Sequence, residues 1–243
     1  MGNGRSTHLP EAPAEFWCVE KILEELEALL RHLGIERRYN LLGQSWGGML
    51  AAEHAVRRPP GLNALVIADA PASMVTWREE MDSLRRRLPE QVQRTLELHE
   101  ANEDYQHPDY QAASRIFYGE HLCRVVPLPD EVQRTIDWIG YDPTVYGTMN
   151  GPTEFLVIGK LKDWSIEDRL HEVEVPTLVI SGRHDEATPR VVEGYATGIK
   201  GAVRRIFEGS SHMPHIEEQA ACLLTVSAFL HDHDAAGAAV QAT

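Results

Sequence analysis

The chain has little with which to cross-link itself and nothing long enough to span a bilayer. Its three cysteines, Cys18, Cys123 and Cys222, are odd in number, far apart and free of any CxxC spacing. That excludes a disulfide framework and a zinc ribbon, and it reads as buried or incidental thiols in a reducing compartment. No apolar run approaches the ~18–20 residues of a membrane-crossing helix, and Met1-Gly2-Asn3-Gly4-Arg5-Ser6 lacks the hydrophobic segment of a signal peptide. Positive charge is scarce as well. Against 37 Asp and Glu there are 23 Lys and Arg, a formal charge of −14, which argues against a nucleic acid or an anionic membrane as partner. The expected setting is the cytoplasm. Oligomeric state leaves no trace in the sequence.

With 243 residues, 43% of them hydrophobic and 25% charged, there is material for one large α/β domain with an insertion. Ile22, Leu23, Leu26, Leu29, Leu30 and Leu33 fall at helical spacing before Gly34. A short strand Tyr39–Leu42 runs into Gly43-Gln44-Ser45-Trp46-Gly47-Gly48, and Met49–Val56 reads as a helix. Ala64–Ala68 is a continuous apolar run of the kind found in parallel strands buried on both faces. From about Pro71 to Leu161 the β pattern stops, and Thr76–Leu88, Glu90–Asn102, Pro108–Leu122 and Glu131–Trp138 read as helices. Strand pattern returns at Thr177–Gly182 and Val203–Phe207, followed by a helix Ala220–Leu230. The expected fold is therefore α/β, a mostly parallel sheet with a helical cap. The core takes 1–71 and 162–231, the cap 72–161, and 232–243 is expected to be a disordered tail.

Gly43-Gln44-Ser45-Trp46-Gly47 fits G-x-S-x-G between a strand and a helix, the setting of a nucleophile elbow. There the serine backbone is strained, and a side chain at either flanking glycine is expected to clash with the neighbouring strand or helix. Ser45 would stand at a helix N-terminus, with the Trp46 N–H free to hold an oxyanion. A serine hydroxyl needs a base, and the base an orienting acid, each in the loop after a late strand. The loop after Ser181 offers Asp185, and the loop after Phe207 offers His212. Glu186 is the rival acid and His215 the rival base. His184, His231 and His233 read as solvated surface residues. The His212/His215 spacing lacks the carboxylates and cysteines of a metal site, so neither metal nor cofactor is expected.

Four segments together resemble the proline iminopeptidases, or prolyl aminopeptidases: Gly43–Met49, Met149-Asn150-Gly151-Pro152-Thr153-Glu154-Phe155, Ser181–Pro189 and Ser211-His212-Met213-Pro214-His215. The likeness runs from Gly2 to about Leu230. It implies an α/β-hydrolase fold with a helical cap and hydrolysis of an N-terminal residue from a small peptide or amino-acid amide. It also implies a triad of Ser45, Asp185 and His212, and a substrate ammonium held by Glu154 and Glu186. Composition alone would leave Glu154 as a surface acid.

The family's upstream His-Gly-Gly-Pro-Gly loop does not occur in this sequence, and Gly2–Ser6 resembles the end of a segment that follows the family's fourth strand. The resemblance therefore implies a chain lacking those strands. Trp46 would be left as one of two oxyanion donors, strand Tyr39–Leu42 would have a bare edge, and the isolated chain would be poorly stable and weakly active. Two other readings share the motifs: an esterase, lactonase or amidase on a small acyl compound, and a catalytically silent binding protein.

Overall fold

The structure is a computed structural model that describes residues 1–240, with side chains described as far as Asp234. Its centre is a four-stranded, wholly parallel sheet in the order β1 (Tyr39–Gln44), β2 (Leu62–Ala68), β3 (Thr177–Gly182), β4 (Val203–Phe207). Each parallel pair needs a crossover, and helices supply them. Helix α1 (Val19–Leu33) precedes the sheet, its C-terminus closed by Gly34 at φ 68°, a left-handed cap that glycine adopts without strain. Helix α2 (Trp46–Ala55) links β1 to β2.

Between β2 and β3 come α3 (Met74–Arg85), α4 (Glu90–Ala101), α5 (Pro108–His121), α6 (Asp130–Tyr141) and α7 (Thr144–Met149). The first four lie within three residues of the expected ends. Helix α7 was not anticipated, because six residues are too few to show a 3.6-residue period. Nor was α8 (Pro189–Gly198), the crossover from β3 to β4, although Thr188 caps it through the Val191 amide and Pro189 opens it. After β4 come α9 (Pro214–Glu217) and α10 (Gln219–Val240). Helix α10 carries on through 232–240, most of the segment expected to be disordered; 241–243 lie outside the described residues.

Alternate residues of the central strands feed two cores, as the two-residue side-chain period requires. Leu65, Ile67 and Val179 face α2, α3 and α8 through Met49, Ala52, Met74, Val192 and Tyr195. Val66, Ala68, Leu178, Ile180 and Phe207 face Cys222 of α10. β1 is an edge strand, and its Leu42 is half exposed. Among the described residues no helix is long and apolar enough to cross a membrane. Because all four strands run the same way, the loops after their C-terminal ends gather at one edge of the sheet, where ligands of open α/β sheets bind. Those loops carry Ser45, Asp69, Asp185 and His212.

Candidate active site

Ser45 sits between β1 and α2 at φ 55°, ψ −124°, a conformation L-residues rarely hold. Its amide donates to Ala68 O (2.9 Å) and its carbonyl accepts from Gly48 N (2.8 Å), so β2 and the first turn of α2 pin the strained residue from both sides. Its hydroxyl does not cap the helix it precedes. The turn is tight at Gly43, where an added Cβ would lie 2.0 Å from Gly47 O. The expectation of a clash at both flanking glycines is corrected at Gly47, whose Cβ would meet nothing within 4 Å. The close approach falls instead to Gly48, 2.5 Å from the Ala70 Cβ, because the second turn position is the one that faces the chain leaving β2.

In the loops after β4 and β3, His212 Nδ1 donates to Asp185 Oδ1 at 2.8 Å, with both residues buried. Asp185 Oδ1 also accepts the Ala187 amide (2.7 Å), and Gln44 Nε2 donates to the His212 carbonyl (3.0 Å). The two loops share an anchor in the inserted helices: His121 O, at the end of α5, accepts from both the Glu186 amide (3.3 Å) and the His212 amide (3.2 Å). The described hydrogen bonds of the His212 ring end at Asp185, and none joins it to Ser45. Its Nε2 stands 3.9 Å from Glu186 Oε1. Burial alone would lower the His212 pKa. The charge and hydrogen bond of Asp185, then the charges of Glu186 and Glu154, overcome it and hold the ring at about 9. His215, the rival base, is exposed in α9, while His184 and His231 are exposed as expected and His233 is half-buried.

Glu186 is 0% exposed, and neither carboxylate oxygen accepts a hydrogen bond from the described residues. Burial raises its pKa well above the usual carboxylate range; His212 opposes this, while Glu154 and Asp185 add to it. Glu154 enters the same cluster from the loop after α7. That loop is knotted by Asn150, whose side chain donates to Thr153 O (2.9 Å) and whose carbonyl accepts from Ile158 and Gly159. Trp77 Nε1 donates to Glu154 O (2.9 Å), and the Glu154 amide donates to Tyr118 Oη (3.4 Å). Burial raises the Glu154 pKa as well, with the Tyr146 hydroxyl and His212 favouring its charged form. Glu154 and Glu186 thus both act on His212 by charge, and the Tyr118 and Tyr146 phenols neighbour the two carboxyls.

Of the aromatics in the inserted helices, Tyr146 joins the cluster and Phe155 packs on Phe117, centroids 4.8 Å apart. Trp138 and Tyr141 lie elsewhere, beside His8 on the outer face. Tyr118 was missed from sequence because its period marks it only as a helix residue. Asp69 was missed although it directly follows an apolar parallel strand. Among the described residues, His99, Asp104 and His107 bring ligand atoms within 4.8 Å of one another at the α4–α5 turn, apart from this cluster.

The sequence signature of the family described as alpha/beta hydrolase fold matches residues 1–219. A proline iminopeptidase of Saccharolobus solfataricus is 35% identical over 95% of this chain and 73% of its own length. One from Thermoplasma volcanium is 34% identical over 90% and 73%. Among solved structures, VinJ superposes with a TM-score of 0.95 at 49% identity, covering 96% of this chain and 79% of VinJ. A proline iminopeptidase of Mycobacterium smegmatis gives 0.89 at 47% identity, covering 97% and 79%. A strained serine after a strand, a buried His–Asp pair and these relatives agree: the chain belongs to the alpha/beta hydrolase family and is a serine hydrolase of the proline iminopeptidase type.

Proposed function

We propose that Ser45 is the nucleophile, His212 the general base and Asp185 its orienting acid, and that Glu154 and Glu186 receive the free ammonium of the substrate. The enzyme then releases an N-terminal residue, proline or another small apolar one, from a peptide or amino-acid amide. The observation that carries this reading is the burial of Glu186, 0% exposed and without a hydrogen-bond donor among the described residues. Leaving such a group unpaired is costly, and an ammonium between Glu154 and Glu186 would remove the cost. An acylated amine would leave it in place, which makes the pair a selector for free N-termini.

In the cycle, His212 Nε2 takes the Ser45 proton as Oγ attacks the carbonyl carbon. The Trp46 N–H, at the positive end of α2, stabilises the oxyanion. As the tetrahedral intermediate collapses, His212 returns the proton to the departing amine, and water then releases the acyl group from Ser45 by the same relay. The substrate's own charge assists: its ammonium offsets the carboxylates that hold His212 protonated, which brings the ring into its basic form when substrate is bound. No metal or cofactor enters these steps. The charge of −14 and the three free cysteines support a cytoplasmic reaction without nucleic-acid or membrane partners.

Hydrolysis of L-prolyl para-nitroanilide tests the assignment. Ser45→Ala is expected to lower kcat by at least about 10⁴-fold, the scale on which such nucleophiles act. Release that survives Ser45→Ala would contradict the triad.

A further inference from the structure

Three buried carboxylate oxygens have no hydrogen-bond donor among the described residues: Asp69 Oδ1, Asp69 Oδ2 and, in the His212–Asp185 pair itself, Asp185 Oδ2. Asp69 is the first residue beyond β2, and its amide donates to Ile180 O (2.8 Å), extending the β2–β3 pairing by one residue. It is thereby fixed beside the end of the strand that carries Asp185. Its backbone is in the left-handed region (φ 51°) and the residue is 1% exposed, so strain is accepted to keep this side chain inside. Asp185 Oδ1 already accepts from His212 (2.8 Å) and Ala187 (2.7 Å), leaving Oδ2 for Asp69. Among ionisable groups, the Asp185 carboxyl acts most strongly on that of Asp69.

Two adjacent carboxylates sealed from water cannot both be ionised. One proton between them turns the mutual repulsion into a short O–H···O bond and gives Asp185 Oδ2 the donor it lacks. Burial foremost, then the charge and hydrogen bond of Asp185, holds the Asp69 carboxyl well above the usual range. The Cys222 thiol of α10 adds to this, and the dipole of the Gly182 amide of β3, which makes no hydrogen bond of ordinary geometry to Asp69, opposes it. On the other side, Asp185 faces protonatable His212, so the proton rests on the member of the acid pair farther from the imidazole.

We propose that Asp69 is a neutral carboxylic acid whose O–H donates to Asp185 Oδ2, and that it acts as a positioning residue keeping Asp185 aimed at His212. This rests on the reading of Asp185 as the orienting acid. No described hydrogen bond joins Asp69 to Ser45, and its effect reaches the reaction through Asp185.

Infrared difference spectroscopy of wild type against Asp69→Asn at neutral pH, with ¹³C-labelled aspartate, is expected to show one protonated-carboxyl band that the variant lacks. With L-prolyl para-nitroanilide, Asp69→Ala is expected to lower kcat about ten- to hundredfold while KM stays within about twofold, as for other groups that orient a reacting side chain. Asp69→Asn keeps a neutral donor at the same place, and its kcat is expected within about threefold of wild type. Absence of the band, an Asp69→Ala enzyme with wild-type kcat, or an Asn variant as slow as an alanine one overturns the proposal. If Asp69→Ala does not fold, the near-isosteric Asn variant decides: loss of the band with kcat retained supports it, and a tenfold or larger loss of kcat overturns it. The band is read without turnover, so an inactive wild type would count against the triad and leave the proton to be judged separately.

Discussion

Glu53 and Glu186 are both buried glutamates, and they are treated in opposite ways. Glu53, in α2, receives Arg169 in a two-pronged ion pair (2.8 and 3.0 Å) and the Trp164 indole N–H (2.8 Å). Its charge is answered from within the chain, and the interaction ties α2 to the segment that returns from the inserted helices. Glu186, in the loop after β3, accepts no hydrogen bond from the described residues, and His212 Nε2 stands 3.9 Å away. A fold that satisfies one carboxylate with three donors does not lack the means to satisfy another. On the proposed function, the difference separates a carboxylate that holds the structure from one that meets the substrate's ammonium. Asp69 is a third kind, answered by a shared proton.

The comparison can be pressed hardest through catalysis. Glu186→Gln is expected to lower kcat/KM for prolyl para-nitroanilide about 10²–10³-fold, mainly through KM, since a desolvated ion pair with the ammonium is lost. Glu53→Gln is expected to change it by less than about threefold, because Glu53 lies outside the reaction. Equal losses would erase the distinction.

A smaller effect lies in the pH profile. With the His212 pKa at about 9 in the free protein, kcat/KM is expected to rise with pH to a limb near that value. The limb in kcat is expected lower, because the bound ammonium cancels the Glu186 and Glu154 charges that raise it. Glu186→Gln removes one of those charges in advance and lowers the kcat/KM limb. Coincident limbs in the wild type would argue against an ammonium beside His212.

Stability gives the smallest effect, with opposite signs. Glu53→Gln leaves Arg169 and Trp164 short of an acceptor and is expected to cost about 1–3 kcal/mol, read as a lower Tm. The Glu186 pKa is raised in the folded state. Below the unfolded value, about 4.5, both states hold the proton and no penalty exists. As pH rises above it the unfolded chain ionises first, and the folded protein loses relative stability. Glu186→Gln is therefore expected to raise Tm at pH 8 and to show no gain near pH 4. A fall in Tm at pH 8 would mean that Glu186 has a structural partner.

The parts legible in the sequence were those whose chemistry is local. The elbow could be read because strand, G-x-S-x-G and helix are consecutive. Asp185 and His212 could be read because each follows a strand that shows itself by its apolar run. Glu154 was legible only by family resemblance: its place depends on α7 and the Asn150 knot returning the chain to the sheet edge, and no periodicity encodes that return. Asp69 and Tyr118 acquire meaning only from neighbours more than thirty residues away. Helix α8 was within reach, since two parallel strands demand a crossover and Thr188-Pro189 marks its start. The Ala-rich end of α10 shows composition misleading in the other direction, because alanine is the strongest helix former.

The central proposal is that Glu186, buried without a hydrogen-bond donor among the described residues, is there for the substrate's ammonium. The direct measurement is the ratio of kcat/KM for L-prolyl para-nitroanilide to that for its N-acetyl twin, in the wild type and in Glu186→Gln. The account predicts a large ratio in the wild type that collapses in the variant, through loss on the free amine alone. A wild type that cleaves both substrates equally, or a ratio that survives Glu186→Gln, would contradict it.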